Sequence, residues 1–482
     1  MSGPEFDGAP PAPAPDPAAV PARPLFRPWA TWLATVLVAG LVGHLFVLTP
    51  GGPLDHLHRP EDSLERLTER EMDVRAALRH AAPWERRLFA LISGGDESID
   101  DWIRWHEELA EVSTSPDVEL SRLILLGETR QTEALRAALG DWEGNDGAET
   151  HRKDWIAAAY LEPSLSRATG RALITEVRDQ LPAGWFADAL VARLARRSGD
   201  AIARQQAESA IAARGSVLLH RWRALEAAGL LLAVAGLTTV GVLLLTHADL
   251  RVADARLPDG FSPAEGYALF IRGALGFLVL GAGLGLMIPD DSALDALTGP
   301  ATVAPILLYA AWYLGSRGLS FTAAFGLLPG RDRLVTVAWV ALALVGLQLA
   351  GESLIGAALD ALRLSSHWAD GLEENLIWGS WGLVARETIG SALWAPLGEE
   401  VAFRGILYPA LRMRFGVAPA AVLSAAVFAG AHGYGVLGFA AVFWSGILWA
   451  LAYERTGSLW PSIIAHAAGN LAATTGVVAL LR

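Results

Sequence analysis

Three short runs near one end of this 482-residue chain place titratable groups inside apolar surroundings. The first is Glu399-Glu400-Val401-Ala402-Phe403-Arg404. On an α-helix Glu400 and Arg404 lie four positions apart on one face and can pair. Glu399 is turned roughly 140° from Arg404 at 100° per residue, so it faces something else. Two adjacent carboxylates in a low-dielectric site cannot both ionise cheaply. An arginine that locks one as an anion leaves the other to exchange a proton, which is what a general base must do. The second run is Phe428-Ala429-Gly430-Ala431-His432, which ends a segment of small residues able to pack closely against another helix. The third is His466-Ala467-Ala468-Gly469-Asn470, whose i, i+4 spacing puts imidazole and amide on one face. Asparagine does not titrate, so its roles are hydrogen-bond donation or orientation. Each run alone has a plain structural reading: a solvated acidic turn, a loop-bonded histidine, glue between helices. Together they bring two carboxylates, two histidines and an amide from three neighbouring apolar segments, where polar groups are costly and mark function.

The order Glu-Glu-x-x-x-Arg, Phe-x-x-x-His, His-x-x-x-Asn resembles the signature of the CAAX-protease and bacteriocin-processing (CPBP) family of intramembrane endopeptidases. Phe403-Arg404-Gly405 and Ser458-Leu459-Trp460-Pro461 look like the same family, and the likeness spans residues 384–478. The resemblance implies that Glu399, with His432, activates a water for attack on a peptide carbonyl, while Arg404 orients the pair through Glu400. Asn470 and one histidine would donate to the developing oxyanion, and His466 would position the water or protonate the leaving amine. Glu399, His432 and His466 also make a plausible zinc set, and family members are often called metalloproteases. There is no His-Glu-x-x-His motif, however, and a metal-free glutamate protease stays open beside the zinc reading. The implied substrate is a membrane-associated protein or peptide.

The elements that must hold these groups are membrane helices. The chain is 52% hydrophobic and 18% charged, with a mean hydropathy of +0.34, against about 25% charged residues in soluble proteins. Its apolar residues cluster near 225–246, 265–288, 301–315, 334–358, 384–411, 417–432, 436–453 and 459–480, and a first stretch occupies 28–49. At about 20 residues per crossing this predicts an all-α polytopic membrane protein of about nine transmembrane helices. Residues 1–27 read as a disordered Pro/Ala-rich tail. Residues 50–222, charged and helical in period, read as a soluble helical insert after the first helix, with 223–482 as the membrane core. The insert shows no catalytic constellation and could bind a protein partner or present substrate.

Arginines in short loops (Arg251 and Arg256; Arg317, Arg331 and Arg333; Arg412 and Arg414; Arg455) put the N-terminus in the cytoplasm and the insert outside. Lys153 is the single lysine, a bias that fits a GC-rich bacterial genome, so an inner (cell) membrane is the expected location. The absence of cysteine excludes disulfides and thiolate chemistry. A net charge of −13 and scattered arginines exclude a nucleic-acid face. Two other readings use the same residues: a non-catalytic scaffold or bacteriocin-immunity protein, and an ion-coupled carrier with Arg272, Glu352, Arg386 and Glu387 on its path.

Overall fold

A computed structural model describes residues 26–44, 54–93, 97–142, 147–289, 292–364 and 366–482. The expected tail lies outside the described residues except for Phe26 and Arg27, as do residues 45–49 of the expected first span. The described residues form helices joined by loops, without a strand.

The apolar helices are, in chain order, α1 (Pro28–Gly43), α2 (Ala201–Leu245), α3 (Pro263–Met287), α4 (Thr298–Ser316), α5 (Leu334–Ala361), α6 (a continuous helical run, 381–415), α7 (Val417–Gly430), α8 (Val436–Thr456) and α9 (Trp460–Leu481). Five of them (α2, α3, α5, α8 and α9) are long and apolar enough to cross a membrane, and α1 and α7 are shorter apolar helices. The surface of α2 shows why a bilayer is needed. Only 11% of its most apolar 18-residue window is buried in the protein, and Leu230, Leu231 and Leu245 stand exposed. Such a face is stable only against lipid.

Packing follows small residues. A Cβ on Gly236 of α2 would lie 2.5 Å from the Cα of Gly346 in α5, so the two backbones touch where these glycines cross. The arginine-bearing loops gather on one side. Val252 and Ala253 donate backbone hydrogen bonds to Thr456 O, Leu459 donates to Phe325 O, and Arg412 pairs with Glu454 at 2.6 Å.

Residues 54–200 form eight shorter helices around a dry core that includes Leu123, Ile124, Trp155, Val177, Leu190 and Leu194. The sequence places a boundary at 222/223, but the structure does not break there. α2 runs unbroken for 45 residues, capped by Asp200, whose Oδ1 accepts from Ala203 N at 3.1 Å. Its charged first half and apolar second half are both rich in good helix formers, so only the polarity of the side chains changes.

The helical domain docks on the loop between α5 and α6. Glu374 of that loop accepts from the backbone N–H groups of His58 (2.7 Å) and Arg59 (2.9 Å) and from Ser63 Oγ (2.9 Å). It thereby serves as the N-terminal cap of helix Pro60–Leu78, whose own Arg59 supplies none. Trp378 donates its indole N–H to Ser63 Oγ, and Arg59 and Arg66 each sit 4.9 Å from its ring centre. Trp368 and Ala369 complete an apolar cluster with Leu57, Leu64, Leu109 and Val118.

Candidate active site

The site grows out of a defect in α6. The segments Gly390–Trp394 and Glu400–Leu407 are wound as π-helix. Pro396 has no N–H, and Ala395 N reaches back to Gly390 O, so the Ser391 carbonyl loses its helical partner. Asn470 of α9 fills that gap: its Nδ2 donates to Ser391 O at 2.7 Å. One amide N–H is thus spent on holding α9 to α6. A serine on α7 supports the second wide turn, with Ser424 Oγ donating to Phe403 O at 3.1 Å.

Glu400 and Arg404 pair as their spacing predicts, Arg404 Nη1 donating to Glu400 Oε1 at 3.0 Å with both side chains buried. The guanidinium lies between aromatic faces, 4.1 Å from the ring centre of Phe428 and 4.8 Å from that of Trp449. Gly446 leaves it room: a Cβ there would meet Arg404 Nη2 at 3.2 Å and Ala425 Cβ at 2.9 Å. Trp449 in turn stacks on the His466 ring, with centroids 4.3 Å apart.

His466 touches both glutamates. Its Nδ1 lies 3.2 Å from Glu400 Oε1, and its Nε2 lies 3.7 Å from Glu399 Oε2. This departs from the helical-wheel expectation that the two carboxylates part company. The π turn winds more residues into each turn than an α-helix, so neighbours diverge less. His432 completes the group. Its Nδ1 donates to Phe428 O at 2.8 Å, and its Nε2 faces Glu399 Oε2 at 4.0 Å.

These contacts fix one proton on each imidazole. A carbonyl only accepts, so His432 carries its hydrogen on Nδ1, and the Arg404-bound Glu400 asks the same of His466. Both Nε2 atoms then face Glu399 Oε2, which is buried and takes no hydrogen bond from the protein. A water placed between Glu399 and the two imidazoles would complete the hydrogen bonding of this group.

The same three residues are chemically able to hold zinc, but their placement does not suit it. The separations of 3.7 and 4.0 Å exceed the roughly 3.3 Å between ligands of a tetrahedral site with bonds of about 2.0 Å. Among the described residues no cluster of three or more His, Asp or Glu is arranged for a metal ion.

The structure brings Glu399, Glu400, Arg404, His432 and His466 together and attaches Asn470 alongside through Ser391. Trp449 escaped the sequence reading, since a tryptophan in an apolar run gives no sign that it carries an arginine and an imidazole. Three of the four residues considered for a carrier path, Arg272, Arg386 and Glu387, are occupied locally. Arg272 donates to Tyr309 OH and Thr31 Oγ1, and Arg386 pairs with Glu387 at 2.7 Å.

Residues 381–472 match the model of a family described as type II CAAX prenyl endopeptidase Rce1-like. No curated protein and no solved structure matches the chain. The matched stretch contains all six site residues, and over it the chain is similar to the CAAX-protease (CPBP) family that its motif order resembles.

Proposed function

We propose that this protein is an intramembrane endopeptidase that hydrolyses a peptide bond in a membrane-associated protein or peptide, with a water activated by Glu399. The observation that carries the reading is Glu399 Oε2 opposed by two imidazole Nε2 atoms whose other nitrogens are already committed. Glu399 takes the proton as the water oxygen attacks the carbonyl carbon. Arg404 holds Glu400 anionic, and Glu400 keeps a proton on His466 Nδ1, so that Nε2 can carry the proton Glu399 took from the water on to the leaving amine. The second N–H of Asn470 is the donor available to the oxyanion. The chemistry is that of a glutamate protease, and it uses no metal. The family's name speaks of prenylated substrates; for this chain the recognised feature is attachment to the membrane, and prenylation is one form of it.

The proposed topology has nine crossings, with the four remaining apolar helices (α1, α4, α6 and α7) completing the five long ones. The N-terminus is cytoplasmic, and the helical domain lies outside the cell membrane. Support comes from the clustering of the arginine-bearing loops on the face opposite to the docked helical domain.

The test is cleavage of a panel of membrane-anchored peptides, prenylated and not, by the full chain in lipid nanodiscs. Glu399→Gln should lose at least about 10²-fold in rate, the usual size of a general-base contribution, and exhaustive chelation should leave the wild type unchanged. Equal rates for wild type and Glu399→Gln, or activity abolished by chelation and restored by zinc, would overturn the mechanism. No cleavage of any peptide by the wild type would favour a scaffold or immunity protein.

A further inference from the structure

The helical domain contains a second built feature, remote from the peptidase chemistry. A cleft of about 900 Å³ opens between the end of helix Pro60–Leu78, helix Pro83–Ser93, helix Trp185–Ser198 and the first half of α2. In a chain of net charge −13, its walls carry Arg75, Arg79, Arg86, Arg130, Arg193 and Arg196 against only two glutamates, Glu128 and Glu208. Both glutamates are spent on Arg193 (2.6 Å) and Arg196 (3.1 Å). Arg79 and Arg130 are exposed and have no acidic partner among the described residues. A cleft with surplus, exposed guanidinium groups suits a phosphate-bearing anion.

Its position says which anion. Leu78 and Phe89 line the cleft and also belong to an apolar cluster with Leu218, Leu219 and Trp222, against which Leu480 at the end of α9 packs. The cleft floor therefore runs on to the boundary of the membrane helices. Helix Pro83–Ser93 forms one wall and contacts α5. Its buried Glu85 pairs with Arg223 of α2, Nη2 to Oε2 at 2.9 Å, and this turns Trp84 (67% exposed) and Leu88 (39% exposed) outward. An outward Trp and Leu on an amphipathic helix at the boundary mark the interfacial layer of a bilayer.

We propose that this cleft binds the anionic headgroup of a phospholipid from the leaflet on the domain's side, with the start of an acyl chain along Leu78 and Phe89. The test uses the full chain in neutral detergent, with short-chain phosphatidylglycerol, short-chain phosphatidylcholine and inorganic phosphate as probes, and binding read by native mass spectrometry. Phosphatidylglycerol should bind at least about tenfold more tightly than phosphatidylcholine, and Arg79→Gln/Arg130→Gln should lose that preference. Because neither arginine is ion-paired among the described residues, the melting temperature without lipid should not move; if the double variant melts lower, Arg130→Gln alone is read instead. Equal binding of the two lipids, unchanged preference in the variants, or phosphate competing as strongly as the lipid would overturn the proposal.

Discussion

Arg404 offers the most direct test of the site's electrostatics. It is 1% exposed and Glu400 is 0% exposed, so each is the other's principal compensation in a dry interior. Arg404→Met keeps an unbranched chain of similar length between Phe428 and Trp449 but leaves the Glu400 carboxylate with only the His466 Nδ1 contact at 3.2 Å. Removing one partner of a buried pair typically costs about 3–5 kcal/mol. The desolvated cation–π contacts to Phe428 and Trp449, at about 2 kcal/mol each, are part of that loss. The double variant Glu400→Gln/Arg404→Met removes the orphaned charge and should recover about 2 kcal/mol relative to Arg404→Met alone, as buried pairs replaced together usually do. Unfolding in mixed micelles with rising denaturing detergent, followed by tryptophan fluorescence, gives the stabilities. A loss below about 1 kcal/mol in Arg404→Met, or a double variant no better than the single, would refute the idea that Glu400 is held as an anion by Arg404.

Two further expectations concern the helical domain. Glu374→Ala removes the cap of helix Pro60–Leu78 and its three hydrogen bonds, at a local cost of about 1–3 kcal/mol. Limited trypsin digestion should then cut faster at Arg66 while the α2–α9 region stays intact; unchanged digestion would mean that Glu374 does not hold the domain down. His106, buried against Trp102 O and Phe186, is pushed from the ordinary 6.5 down to about 4 by burial. A folded-state value below the unfolded one gives stability that is present above pH 6.5 and is lost as pH falls toward 4, up to about 3 kcal/mol. Glu65, pushed up to about 7 by burial, acts in the opposite sense over an overlapping range. The reading is therefore the melting temperature of wild type minus that of His106→Phe, which should fall as pH drops from 6.5 toward 4; a difference constant over that range would refute it.

The residues that cluster in the structure were legible because membrane segments are otherwise so apolar that each Glu, Arg or His stands out. The Glu400–Arg404 pair followed directly from i, i+4 spacing. The meeting of both glutamates at His466 did not, because it depends on π turns that start from Pro396 and have no period of their own in the sequence. The partner of Asn470 was hidden for the same reason: a bare backbone carbonyl at Ser391 leaves no trace in residue types. The helical character of 54–200 was legible from its period, but its attachment was not. Glu374 and Trp378 look like ordinary loop residues until helix Pro60–Leu78 is laid against them. The boundary at 222/223 was placed by polarity, and polarity does not end a helix.

That unbroken helix has a mechanical consequence. At 1.5 Å per residue α2 is about 68 Å long, of which about 52 Å lies between Gly236 and its start at Ala201. At Gly236 it bears directly on the backbone of α5, and α5 packs along α9, which carries His466. The contact acts as a fulcrum close to one end of a stiff rod. A displacement of about 5 Å where the helical domain grips the rod corresponds to a tilt of only about 5–6°, and it reaches the short arm as a shift of about 1 Å. A displacement of that size at the domain would thereby be geared down to the scale on which an imidazole and a carboxylate gain or lose their alignment.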